Sequence, residues 1–146
     1  MDNEAIIRNL YSLAEVKDFQ GFVALFTEDG TFTDESIGVT YRGQKIARTG
    51  EIYATAFPDM HRELFNVYLS GDDMVVVQLA LQGTHNGPLE LPMGTIAATG
   101  KRMDVPCCDV FQLRGEKVQR FDCYPSVALI LVQLGVISNL EAALAH

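Results

Sequence analysis

The sequence predicts a single α+β domain in which helices come first, a strand meander follows and a short helix closes the chain. Three observations carry this expectation. Ile6, Ile7, Leu10, Leu13 and Ala14 recur at helical spacing near the start. Val75, Val77, Leu79 and Leu81 alternate along a run that fits a half-buried strand. Only Gly115-Glu116 separates Arg114 from Lys117, the pattern of a two-residue hairpin.

The elements follow in order. Asn3 is placed to cap the first helix. A second helix fits 19–26, capped by Asp18, with Phe22 and Phe26 on one face and Asp29-Gly30 as its end. Residues 31–34 read as a short strand. A third helix fits 44–56, with Ile46, Tyr53 and Phe57 on one side. Beyond Pro58 strands are expected at 60–69 and 74–84, joined by a turn at 70–73. Gly87, Pro88, Pro92, Gly94 and Gly100 mark 86–100 as a loop. The last two strands fit 102–113 and 117–124. Ser126 then caps a helix ending at Leu134, with Gly135 as terminator. Ser138 and Glu141 form a capping box for a final short helix. The sheet these strands build is expected to be curved and antiparallel, with helices on one face.

Composition narrows the function classes. The chain has 146 residues, fitting one domain over 1–146, and is 48% hydrophobic, enough for a sizeable core. Its net charge of -8 is the wrong sign for nucleic acid or an anionic membrane. No apolar run approaches a membrane span. Asp2, Glu4, Glu15 and Asp18 interrupt the first twenty residues, unlike a secretory signal, so a cytoplasmic location is expected. Three cysteines, an odd count, also fit a reducing compartment. No C-x-x-C pair, zinc-ligand spacing or glycine-rich phosphate loop is present, so no metal or cofactor is expected.

The last hairpin carries the chemistry. A tight turn at Gly115-Glu116 fixes the register, placing Asp109 opposite Asp122, Cys108 opposite Cys123 and Phe111 opposite Arg120. One face then collects Val105, Cys107, Asp109, Phe111 and Leu113 with Val118, Arg120, Asp122 and Tyr124. Directly opposed residues have Cβ atoms about 4.5–5.5 Å apart. Two carboxylates at that range among apolar neighbours do not both ionise easily, so one is expected to hold its proton towards neutral pH. General acid–base catalysis needs such a group. Two alternatives stay open: an ordinary salt bridge of Arg120 with either aspartate, and a one-residue bulge that would undo the pairing.

Other residues are weighed beside this pair. His85 shares the parity of Val75 to Leu81 and points to the same interior, where a structural histidine is the commoner case. Tyr11, Tyr53 and Tyr124 can line a pocket with a polar tip, or be core. Asp34 ends the first strand as a further candidate. Asp59 fits a local turn after Pro58. The three thiols read as buried.

These residues resemble a known family. FPDMH (57–61), GTHNG (83–87), DVFQL (109–113), EKVQRFD (116–122) and QLGV (133–136), with FTEDGTFTD (26–34) after the second helix, are similar to the SnoaL-like polyketide cyclases. That family lies in the nuclear-transport-factor-2-like (NTF2-like) superfamily. The resemblance implies a cone-shaped domain, with a bent sheet wrapped around three N-terminal helices and a deep pocket inside. It implies ring closure by intramolecular aldol condensation without metal or cofactor, with the acid–base aspartate at Asp122. An assisting histidine of the cyclases matches Asp109 here, and the family's GTH histidine matches His85. The superfamily also holds isomerases, dehydratases, epoxide hydrolases and members that only bind.

The expected function is therefore acid–base chemistry on an apolar small molecule, ring-closing or isomerising. Asp122, Asp109 and His85 are the catalytic candidates, and Tyr11, Asp34, Tyr53 and Tyr124 the substrate-binding ones. A non-catalytic ligand carrier or adaptor is the alternative. The outer hairpin face, with Val110, Phe121, Cys108 and Cys123, predicts a homodimer through the outer sheet face.

Overall fold

The structure, a computed structural model, describes residues 2–137 and 144. The first helix, α1 (Asn3–Glu15), starts one residue earlier than Asn3 could cap it. Asp2 is the cap, and its carboxylate accepts the Ala5 N–H at 2.7 Å. Ile6, Ile7, Leu10, Tyr11 and Ala14 form its buried stripe. Asp18 caps α2 (Phe19–Ala24) through the Gly21 N–H. This helix is shorter than expected because Phe26 already belongs to β1 (Phe26–Asp34), and the Leu25 carbonyl accepts from Val118 of the sheet.

A strand not foreseen, β2 (Val39–Arg42), folds back on β1. A 3-10 turn (Gly43–Ile46) then leads into α3 (Ala47–Ala56). The meander follows as β3 (His61–Ser70) and β4 (Met74–Thr84). The expected loop contains a small hairpin, β5 (Leu89–Leu91) with β6 (Gly94–Ile96). The chain continues through β7 (Arg102–Arg114), β8 (Lys117–Pro125) and α4 (Val127–Gln133). Ser126 stands at the N-cap of α4 without a side-chain capping bond, and Gly135 ends the helix at φ 70°. The capping box expected at Ser138 and Glu141 lies outside the described residues.

The six-stranded sheet has the order β2-β1-β8-β7-β4-β3. It is not wholly antiparallel, because β1 runs parallel to β8. Everything from β2 to β7 crosses over between them, and parallel neighbours need such a connection. The core lies between the inner sheet face and the helices. Phe121 sits at its centre, with ring centroids 4.2 Å from both Phe32 and Phe111.

The β7–β8 register corrects the expected carboxylate pair. Arg114 faces Lys117 and Leu113 faces Val118, as the turn requires. Gly115 takes φ 64°, the sign such a turn needs at its first position. The register then shifts, so that Gln112 faces Arg120, Phe111 faces Phe121, Val110 faces Asp122 and Asp109 faces Cys123. Gln119 is the extra residue, and Thr27 of β1 donates its hydroxyl to the Gln119 side-chain oxygen at 3.2 Å.

The energetics favour this bulge. Unbroken alternation would send Arg120 inward, and an uncompensated buried charge costs several kcal/mol. It would also turn Phe121 towards water, forfeiting about 1.5–3 kcal/mol. One extra residue avoids both. It also moves Cys123 and Phe121 off the outer face on which the homodimer was expected. Cys108 faces Tyr124 rather than Cys123.

Candidate functional site

The bulge leaves one row of inward side chains crossing three neighbouring strands. Asp34 of β1 pairs with Cys123 of β8, and Cys123 pairs with Asp109 of β7. Asp109 is 3% exposed and lines an inner chamber of about 50 Å3, walled by Tyr11, Phe22, Phe32, Tyr53, Arg62 and Phe121 among others. Thr49 and Tyr53 stand at the boundary with a second cleft of about 270 Å3, which Asp34 lines. The outer cleft approaches the size of small-molecule pockets, roughly 300–1,000 Å3, and the inner chamber is a much smaller recess beside it.

Each oxygen of Asp109 accepts a bond from a neighbour. Tyr11 donates its hydroxyl to Oδ2 at 2.5 Å, and Cys107 donates its thiol to Oδ1 at 3.3 Å. Burial pushes the Asp109 carboxyl above its ordinary range. The bonds from Tyr11, Cys123 and Cys107, with the charge of Arg62, hold that rise back. Burial, then the charge of Asp109, pushes the Tyr11 phenol well up, so it stays a proton donor. The arrangement is a carboxyl group of raised basicity, fixed in orientation, in an apolar chamber.

The family follows from the sequence that builds this chamber. The sequence model of the SnoaL-like domain matches residues 7–121, from the first buried turn of α1 to Phe121. The chain belongs to the SnoaL-like domain family.

Solved structures agree on the fold of this SnoaL-like domain. A hypothetical protein of ketosteroid isomerase-like fold from Catenulispora acidiphila, in complex with trimethylamine, aligns with TM-score 0.76 and 23% identity over 93% of this chain and 95% of that one. A candidate SnoaL-like polyketide cyclase from Jannaschia aligns with TM-score 0.77 and 20% identity over 90% of each chain. IdmH from Streptomyces antibioticus, a candidate polyketide cyclase, gives TM-score 0.75 and 18% identity over 91% of this chain and 98% of that one. No curated protein matches the chain.

The other expected site residues divide sharply. Tyr11 and Tyr53 line the inner chamber, and Asp34 and Tyr53 line the outer cleft. Asp122 does not reach either space. It lies on the opposite sheet face, where Arg120 donates to Oδ2 at 2.8 Å and Thr31, Thr33 and Arg42 are among its surroundings. Tyr124 is also outside, 50% exposed. The salt bridge weighed for Arg120 is therefore the one Asp122 makes.

His85 is buried but lines neither space. Its Nδ1 accepts the Thr99 N–H at 3.2 Å, which puts the ring proton on Nε2. Burial lowers its pKa, so it stays neutral. Its bonds to Thr99, Gly100 and Lys101 tie the end of β4 to residues 99–101, and its ring stands 5.4 Å from that of Phe57. Asp59, expected to bond its own turn, accepts instead from the Thr84 N–H and hydroxyl at the end of β4, and so braces the segment after Pro58 against the sheet.

Cys107 lines the chamber on the Asp109 face, where the alternation put it, while Arg62 of β3 and Phe121 and Cys123 of β8 are chamber residues that the pattern reading missed. The signal for Phe121 and Cys123 was present in β8, where apolar residues fall at 118, 121 and 123. A spacing of three followed by two marks a bulged strand.

Proposed function

We propose that this SnoaL-like domain is an acid–base enzyme that moves a proton on the carbon next to a carbonyl of an apolar small molecule. The single observation behind this is Asp109, a buried carboxyl of raised basicity, held by Tyr11 and opening on an apolar chamber. The Asp109 carboxylate takes the proton from carbon, and the electron pair moves onto the carbonyl oxygen as an enolate. In ring closure, the enolate carbon attacks a second carbonyl of the same molecule and the new alkoxide takes the proton back. In isomerisation, the proton returns to a different carbon. Neither route changes the oxidation state or requires a co-reactant.

Asp109 takes the role that the family resemblance assigned to Asp122. The chamber speaks against an adaptor, which has no need of an open space around a buried carboxyl; a non-catalytic ligand carrier would share the chamber and differs by lacking proton exchange. The test is deuterium exchange in heavy water next to the carbonyl of small cyclic ketones, 2-tetralone among them, followed by NMR. Exchange above the buffer rate that tracks enzyme concentration is expected. Exchange at the buffer rate for every ketone would reject the enzyme reading.

A further inference from the structure

Asp34 is a buried carboxyl that the proton transfer does not use. It is only 2% exposed, yet it lines the outer cleft. Its Oδ1 accepts the Ser36 N–H at 3.1 Å and the Ser36 hydroxyl at 2.5 Å, which shapes the β1–β2 turn. Such a turn forms equally well in water, so it does not account for the burial. The carboxyl faces inward. Burial raises the pKa of both Tyr53 and Tyr41, and the Asp34 charge adds to the rise at each.

The rest of the cleft gives this carboxylate no counter-charge. Among the described residues, no Lys, Arg or His side chain lines it; its walls are Ile37, Val39, Ile52, Leu89 and Leu91, with Tyr41 and Glu90. Glu90 is already paired with Arg48. Burial raises the Asp34 pKa, and the bonds from Ser36 and Ile37 hold that rise back, so Asp34 brings a carboxyl without a cationic partner to a mostly apolar space. Along the shared row it lies two strand spacings from Asp109, roughly 10 Å at the backbone. A molecule passing the Thr49 and Tyr53 boundary would need only modest length to reach both groups.

We infer that Asp34 is a specificity-determining residue: the site takes an apolar compound whose outer half carries a hydroxyl or ammonium donor, and rejects one whose outer end is anionic. This rests on the acid–base reading only in placing the carbonyl end innermost. An anionic tail would lie beside a desolvated carboxylate, and such like-charge juxtaposition is strongly unfavourable. A hydroxyl or ammonium would donate to it instead.

The experiment uses three probes with one skeleton: 4-phenylbutylamine, 4-phenylbutanol and 4-phenylbutanoate. None has a ketone to be turned over, so calorimetry reads binding alone. The amine is expected to bind tightest, and the carboxylate about tenfold or more below the alcohol. Asp34→Asn is expected to narrow the gap between amine and carboxylate by about tenfold. The variant keeps nearly all of the overall negative charge, so narrowing reports a local effect. Asp34→Ser, which retains a turn-forming side chain, is the second variant should the first not fold. A carboxylate that binds the wild type as tightly as the amine overturns the inference. So does a gap unchanged in the folded variant, or no binding of any probe at millimolar concentration. Asp109→Asn is expected to preserve the order of the probes, so failure here is separable from failure of the proton-transfer reading.

Discussion

Tyr11 of the first helix donates its hydroxyl to Oδ2 of Asp109, 98 residues away, at 2.5 Å. That bond ties the helical layer to the middle of the sheet, and it is the shortest contact Asp109 makes among those described. It fixes the carboxyl in one orientation and leaves the apolar chamber on its open side. The same bond moderates the rise in carboxyl basicity that burial produces.

Tyr11→Phe removes this donor and little else. The buried carboxyl loses a charge-assisted partner, so stability is expected to fall by about 1–3 kcal/mol in urea denaturation. Proton exchange into ketones is expected to slow through loss of orientation, by about tenfold or more. A variant as stable and as active as wild type would show that the bond positions nothing.

Asp109 also makes a pH-dependent contribution to stability. Its folded-state pKa lies above the ordinary value of 3.8. Above the folded pKa the ionised, buried form carries its full penalty. As pH falls through that value the native state takes up a proton before the unfolded chain does, and the penalty is relieved. Tyr11, Cys107, Cys123 and Arg62 are the groups that face this carboxyl. Asp109→Asn carries no such penalty. It is expected to be more stable than wild type near neutral pH, with the advantage shrinking on acidification towards pH ~4. Denaturation midpoints across that range read the trend; an advantage that grows with acid would contradict the sign.

The bulge at Gln119 exists to turn Phe121 inward. Phe121→Ala is expected to cost about 3–5 kcal/mol, as for other large core aromatics. Deleting Gln119 removes the extra residue and lets Val118 and Phe121 both face inward on an unbulged strand, with Arg120 and Asp122 still outside. A retained cooperative thermal transition is the expected result. A deletion variant with no cooperative transition would show that the bulge itself, and not the inward placement of Phe121, holds the strand.

The thiols should differ in reactivity. Cys107 and Cys123 face the chamber with their sulfur atoms 3.7 Å apart, while Cys108 is on the outer face. A bond to Cys107, with burial, pushes the Cys123 thiol well up. Thiolate is the reactive form, so iodoacetamide on the native protein is expected to label Cys108 first. Peptide mass spectrometry reads the order. Equal labelling of all three would mean that the chamber opens far more than the structure shows.

Most of the fold is legible in the sequence because helical and strand periods survive in it. Val75, Val77, Leu79 and Leu81 mark β4, whose limits agree at both ends, and the Gly115-Glu116 turn is where the pattern places it. The small hairpin of β5 and β6 was hidden because glycines and prolines dominate its segment, and β2 because its alternation of Val39 and Tyr41 with Thr40 and Arg42 lasts only four residues. Tyr11, Tyr53 and Asp34 reach the pocket as expected. Asp122 and Tyr124 do not, because register arguments run outward from a turn and one extra residue inverts every later side chain. The decisive clue was local: Phe121 between Arg120 and Asp122 could not be the residue left in water.

The central claim is that proton transfer belongs to Asp109 and not to Asp122. Deuterium exchange into 2-tetralone tests it most directly, with wild type, Asp109→Asn and Asp122→Asn compared at equal concentration after each is shown to be folded. Asp109→Asn is expected to lower the enzyme-dependent rate by about 100-fold or more, the usual contribution of a general base, while Asp122→Asn stays within about threefold of wild type, as a charge on the far face of the sheet should. Retained exchange in Asp109→Asn with loss in Asp122→Asn would contradict the account.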